Sequence, residues 1–282
     1  MALTLRITNP MHFNKVPAKA GYLWFEQGLQ LFWKNLAIFL IGSLCYSLLM
    51  MPLSAMPMLL NHILPQLLFP LISICFMTVC RNTLKQEPTA PAALFNSLRL
   101  TFSKATVWRL LLLGLYYTLA LVIMFAASAL VDSGLLVRLA LSPSSLKPEM
   151  LESGRLTLSI LVMAAIYIPV SMLFWFAPAL SAWHQVPLRK TLFFSMVVCW
   201  RNLSAFMLNG LVLAGFGVAL FGALILLFKL GGIEQTPQML AFVVSIIVMP
   251  ISFCAHYASY VGCFAKEPSH PPSVSHQETN FK

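Results

Sequence analysis

The stretch V-P-L-R-K-T-L-F-F-S-M-V-V-C-W-R-N-L-S-A-F-M-L-N-G, from Val186 to Gly210, opens beside a proline, crosses an amphipathic segment and reaches Trp-Arg-Asn before a long apolar run. Its pattern is written three times. Near the amino terminus, Val16-Pro17 leads through Tyr22, Phe25, Leu29 and Phe32 to Trp33-Lys34-Asn35-Leu36, and Phe39 falls where Phe206 falls in the later copy. A looser copy runs from Pro91 to Phe102-Ser103-Lys104. Enough apolar residues for two bilayer crossings follow each copy, so the chain reads as three units of one amphipathic helix plus one transmembrane hairpin.

Composition agrees. The chain has 282 residues, 59% hydrophobic and 9% charged, with mean hydropathy +0.83; a soluble domain carries about 25% charged residues. The net charge of +10 belongs to a membrane protein's rim, and nucleic acid is not an expected partner. The six cysteines lie in or beside apolar runs without a Cys-x-x-Cys or Cys/His ligand spacing, and read as small apolar side chains. The first thirty residues, with Arg6, Pro10, Lys15, Pro17, Lys19 and Glu26, lack the continuous apolar core of a cleaved signal peptide.

Charges fence off the spans, because a charge at mid-bilayer costs about 2.5–3.5 kcal/mol even on an insertion scale. The expected crossings lie near 36–58, 63–80, 110–131, 156–183, 204–228 and 239–264, the first two divided at Asn61-His62. They form one membrane domain over 16–265, between an amino-terminal arm (1–15) and a disordered tail (266–282). Fourteen of the 18 Lys and Arg residues fall ahead of span one, in the tail and in the connections after spans two and four. The positive-inside rule then puts both termini in the cytoplasm. The opposite side holds Arg138, Lys147, Arg155 and Lys229, and the loop 132–155 is expected to carry a short helical turn at Glu149–Gly154.

Pro17, Pro91 and Pro187 suit the first turn of the amphipathic helices, where a missing N–H costs nothing. In the first of these helices Glu26, Gln30 and Lys34 form a polar stripe opposite Tyr22, Phe25, Leu29, Phe32 and Trp33, the pattern of a helix in the headgroup plane. Trp33 and Trp200 are then interfacial anchors. Together with Arg189, Lys190 and Arg201 they are the candidate lipid-headgroup contacts, favouring anionic lipids.

The even-numbered spans share Pro70-Leu-Ile-Ser73, Pro178-Ala-Leu-Ser181 and Pro250-Ile-Ser252, and each is expected to bend there, a neighbouring serine satisfying the freed carbonyl. In span five Gly215, Ala219 and Ala223, with Gly210, Ala214 and Gly222, form small-residue rows that mark it as the bundle's centre, or as a dimer face.

All eight acids lie outside the spans, and metal-hydrolase, nucleophile-elbow and phosphate-loop motifs are absent, so neither catalysis nor a cofactor is expected. His256 is the ionisable side chain left within a span, with a choice between a neutral bridge to Tyr257, Tyr260 or a Pro250-freed carbonyl and a proton relay. If His256, Tyr257, Tyr260, Tyr167 and Asn209 converge, they line a polar cavity. His62 reads as an external polar cap.

The segment Val16–Asn35, Phe176-Ala-Pro-Ala-Leu180 and Trp200-Arg-Asn-Leu-Ser-Ala-Phe206 resemble the motifs of a family of uncharacterised bacterial six-helix inner-membrane proteins. The same architecture is similar to the membrane domain fused to some glycerophosphodiester phosphodiesterases, whose catalytic domain has no counterpart here. The resemblance implies a fold and an inner-membrane address. The sequence therefore predicts an all-α integral membrane protein, six transmembrane helices in three hairpins, each preceded by an amphipathic interfacial helix. Its expected role is non-enzymatic organisation of lipids or membrane protein partners. The alternative is a transporter or channel for a small solute or lipid.

Overall fold

The computed structural model describes residues 13–54, 56, 58–141, 154–232 and 236–264; the expected turn at 149–154 falls almost entirely outside these, and the tail wholly so. The described residues are helical and turn segments, without a strand. In chain order the helices are α1 (Ala20–Lys34), α2 (Leu36–Ser54), α3 (Met58–Leu84), α4 (Pro91–Thr101), α5 (Lys104–Asp132), α6 (Leu135–Leu141), α7 (Gly154–Trp175), α8 (Ala177–Trp183), α9 (Leu188–Arg201), α10 (Leu203–Leu230) and α11 (Pro237–Phe264). Six segments are long and apolar enough to cross a bilayer: Leu36–Leu53, Leu60–Leu84, Lys104–Asp132, Leu156–Trp183, Leu203–Leu230 and Pro237–Phe264. The first two divide earlier than expected. Helix α3 starts at Met58, so Asn61 and His62 lie in its opening turns, where an end-of-helix side chain still reaches polar surroundings.

The first and third repeats agree at each joint. Setting Trp33 on Trp200, the buried positions of α1 at 24, 28, 31 and 32 coincide with those of α9 at 191, 195, 198 and 199. Both helices stop at an asparagine whose own N–H turns back to a carbonyl three residues earlier, 3.2 Å for Asn35 to Phe32 and 3.2 Å for Asn202 to Cys199. The next span restarts one residue later. The second repeat uses a serine instead: Ser103 Oγ accepts from Thr106 N–H at 3.2 Å and caps α5.

These joints tie the units into a ring. Asn35 Nδ2 donates to Thr83 Oγ1 at 2.6 Å, just ahead of the second repeat. Arg109 Nη1 donates to the Gln185 carbonyl at 3.3 Å, just ahead of the third. Asn202 closes the circle on the first, accepting from Val16 N–H at 2.8 Å and donating to the Asn14 carbonyl at 3.0 Å. Each amphipathic helix packs on the hairpin before it in this cyclic order: α4 on α3, α9 on α7 and α8, and α1 on α10 and α11. We call the side where these bonds gather the basic end, since Arg81, Lys104, Arg109 and Arg201 lie there.

Packing corrects two expectations. The buried face of α1 is Ala20, Gly21, Trp24, Gly28, Leu31 and Phe32, while Tyr22 and Trp33 point outward. A β-carbon on Gly28 would stand 2.6 Å from the Ala255 backbone nitrogen, so glycine is what lets α1 approach α11. Span five, α10, is peripheral: in it Ala205 and Asn209 are buried, and a β-carbon on Gly210, Gly215 or Gly222 would meet nothing within 4 Å. Its small residues face outward because α1 takes up the inner face at its start.

Proline acts unequally. Helices α3 and α11 continue through Pro70 and Pro250, whereas the fourth span breaks at Phe176 between α7 and α8. Ser195 of α9 fills that break: its Oγ accepts from Phe176 N–H at 2.9 Å and donates to the Met172 carbonyl at 2.7 Å. A side chain has entered the i→i−4 ladder, a recognised cause of kinks, and it satisfies both the Phe176 N–H and the Met172 carbonyl that the break parts. The serines expected to serve the freed carbonyls do otherwise; Ser73 donates to Pro70 O and Ser252 to Val248 O, and Ser181 Oγ is buried without a partner.

Candidate functional site: a cleft between the second and third hairpins

The ring of hairpins is tight on two sides. The first packs on the second through α3 and α5, and on the third through α3 and α2 against α11, where Cys80 and Cys254 sulfurs lie 3.3 Å apart as free thiols. The second and third hairpins meet extensively in neither the α5–α10 nor the α7–α10 pairing. Near the basic end their aromatic rings touch, Phe176 against Phe264 at 5.2 Å and Trp183 against Tyr260 at 5.3 Å. Beyond those rings lies a cavity of about 310 Å³, lined by Tyr117, Tyr167, Trp175, Leu213, Ser252 and His256 among others. This is at the lower end of the ~300–1,000 Å³ range of small-molecule sites. His256 lies eight residues before Phe264, or roughly 12 Å along the helix.

Larger cavities of about 520 and 500 Å³ lie elsewhere, one an outer groove between α10 and α11 and the other near His62 and Gln66 between α3 and α5. The smaller one holds the chemistry. The His256 ring packs on Trp175 at 5.0 Å and on Phe176 at 5.8 Å, and His256 Nε2 and Trp175 Nε1 are both buried without a hydrogen-bond partner. An unsatisfied buried polar group costs about 1–3 kcal/mol, so two on touching rings mark this wall as polar against its apolar surroundings. Tyr167 lines the same cavity and faces Tyr117 across α5 and α7.

The other candidate groups lie apart. Tyr260 hydroxyl and His184 Nε2 share a hydrogen bond of 2.6 Å, and Tyr257 packs edge-on against Trp183 at 6.0 Å. Neither bridges to His256, since a neighbour one position on in a helix points to another face and Tyr260 has turned to His184. Asn209 is buried where α10 meets Gly21 of α1, its Oδ1 unpartnered, away from the cleft. Of the five, the structure brings His256 and Tyr167 together.

At the basic end Trp33 and Trp200 are 62% and 65% exposed, as befits equivalent positions, and Trp108 of α5 joins them at 63%. Arg189, Lys190 and Arg201 are exposed, with the Arg201 guanidinium 5.3 Å over the Phe13 ring. Trp175 and Ser195 were not singled out by sequence reasoning, and Phe176 entered only as the first residue of the motif Phe176–Leu180. The signal for Ser195 was the repeat register, which sets it on Gly28, both small residues under a close helix contact.

Six helical segments long and apolar enough to cross a bilayer, packed around this cavity, define a polytopic integral membrane protein. The chain is 39% identical over 264 residues, covering 93% of its own length and 97% of the relative's, to a probable inner membrane protein of Burkholderia thailandensis. It belongs to the same family of bacterial inner-membrane proteins. No family model and no solved structure matches the chain.

Proposed function

We propose that this protein is a non-enzymatic lipid-binding component of the inner membrane, taking the apolar part of a membrane lipid sideways into the cleft between its second and third hairpins. The observation that carries this reading is the open third side of the hairpin ring, where an apolar cavity with a polar wall at His256 and Trp175 lies between segments apolar enough to cross a bilayer. With the basic end cytoplasmic, α1, α4 and α9 would lie at the inner leaflet. The three exposed tryptophans are suited to anchor that side. A lipid in the cleft needs an uncharged group opposite His256, because among the described residues no Asp, Glu, Lys or Arg lines the cavity.

Ser171→Trp and Leu213→Trp fill the cleft from opposite walls. Native mass spectrometry of lipids retained by the purified protein should show loss of a bound lipid in both variants at unchanged melting temperature; full retention contradicts the reading. A second reading, movement of a lipid or small solute across the bilayer, draws on the break at Phe176, where α7 gives way to α8, since helix breaks can serve as hinges. Saturable flux in liposomes, abolished by the same variants, would favour it.

A further inference from the structure

We propose that the turn Trp183–Gln185, flanked by Arg81 and Arg109, is a phosphate-binding site for the headgroup of an anionic phospholipid. The two arginines come from different hairpins. Arg81, at the end of α3, lies with its guanidinium carbon 5.1 Å over the Trp183 ring, and its Nε is buried without a partner. Stacked this way, the planar group keeps its terminal amino edge for an outside acceptor, the geometry in which arginine takes phosphate in a bidentate manner. Arg109, at the start of α5, donates from Nη1 to the Gln185 carbonyl, which fixes a second guanidinium on the far side of the turn. Lys85 stands exposed one helical turn beyond Arg81.

Of the carboxylates among the described residues, two have hydrogen-bond partners of their own and the third is exposed. Asp132 accepts from the N–H groups of Gly134, Leu135 and Leu136 at 2.9–3.1 Å. Glu87 is held by the Asn82 amide at 3.2 Å, once that amide is oriented to satisfy Thr78 and Ser97 as well. Glu26 is exposed on α1. Glu87 and Arg81 both lie within electrostatic reach of Tyr257; with that carboxylate held by Asn82, the two arginines keep a net positive charge at the turn for an external anion. The site's depth selects the source: Arg81 follows Pro70, a cleft residue, by eleven positions on α3, or roughly 16 Å, about half the ~30 Å hydrocarbon core. Arg81 stands three residues before the end of the second apolar segment, Leu60–Leu84, where a headgroup anion would reach it. Trp33, Trp200, Arg189, Lys190 and Arg201, the candidates from sequence, are more exposed and lack this pair of fixed guanidinium groups.

The test uses the full chain in nanodiscs with phosphatidylglycerol competing against phosphatidylcholine, bound lipid being read by native mass spectrometry. Wild type should favour phosphatidylglycerol by on the order of tenfold. Arg81→Gln with Arg109→Gln should abolish the preference, and Lys15→Gln with Lys19→Gln, which removes the same net charge at exposed positions, should keep it. Arg81→Lys, which holds the charge without the planar fork, should fall between and guards against misfolding of the double variant. Equal loss in both double variants, or no preference in wild type, overturns the site while a retained phosphatidylcholine leaves the cleft reading intact. Displacement of phosphatidylglycerol by equimolar inorganic phosphate overturns the lipid headgroup as its source.

Discussion

Ser195 on α9 accepts the backbone N–H of Phe176 at 2.9 Å, inside the break of the fourth crossing. The same hydroxyl donates to Met172 O at 2.7 Å, so an amphipathic helix outside the span replaces the hydrogen bond that the span lost. Ser195→Ala should lower stability by about 1–3 kcal/mol, because both backbone groups would be left unpaired away from water. Thermal unfolding in detergent measures it, with Ser204→Ala, at an exposed position, unchanged.

Gly28 and Gly215 should respond oppositely to alanine. At Gly28 the added carbon would press on the Ala255 backbone at 2.6 Å and separate α1 from α11, costing about 1–3 kcal/mol. At Gly215 nothing lies within 4 Å, and alanine should stabilise the helix by up to about 1 kcal/mol. Melting temperatures of the two variants decide whether α1 or span five carries the tight packing.

The His184–Tyr260 bond makes stability depend on pH. Burial holds the His184 imidazole below its ordinary pKa, so the unfolded chain takes up its proton at a higher pH than the folded one. The contribution is present above the unfolded value near 6.5 and is lost as pH falls below it toward the folded value. Between pH 8 and about pH 5 the melting temperature of wild type should therefore fall more than that of His184→Gln. Parallel curves would remove His184 from the account.

The six crossings were legible because charge is costly in hydrocarbon and fences each span. The split between α2 and α3 was less so: polar Asn61 and His62 resemble a turn, but a helix end tolerates them. Small-residue rows say that something approaches closely without saying which helix does. In α10 the rows face outward, while the effective glycines, Gly21 and Gly28, stand on α1, whose polar stripe made it look like a helix lying free on the surface. The cleft was hidden for a related reason. His256 and Tyr167 could be named as polar residues in lipid, but their meeting depends on hairpins two and three failing to close, a property of the ring rather than of any segment.

The distribution of Lys and Arg predicts one further result. Reporter fusions should find residue 147 on the periplasmic side and residues 15 and 266 in the cytoplasm. Finding all three on one side would break the hairpin order.

The cleft itself is tested most directly by photolabelling. A phospholipid with a diazirine midway along one acyl chain, activated in membranes containing the full chain, should label peptides bearing Tyr167, Ser171, Leu213 or His256, and Leu213→Trp should suppress that labelling. Labelling confined to outward surfaces such as that of Leu226, unchanged by the variant, would contradict a lipid site between the second and third hairpins.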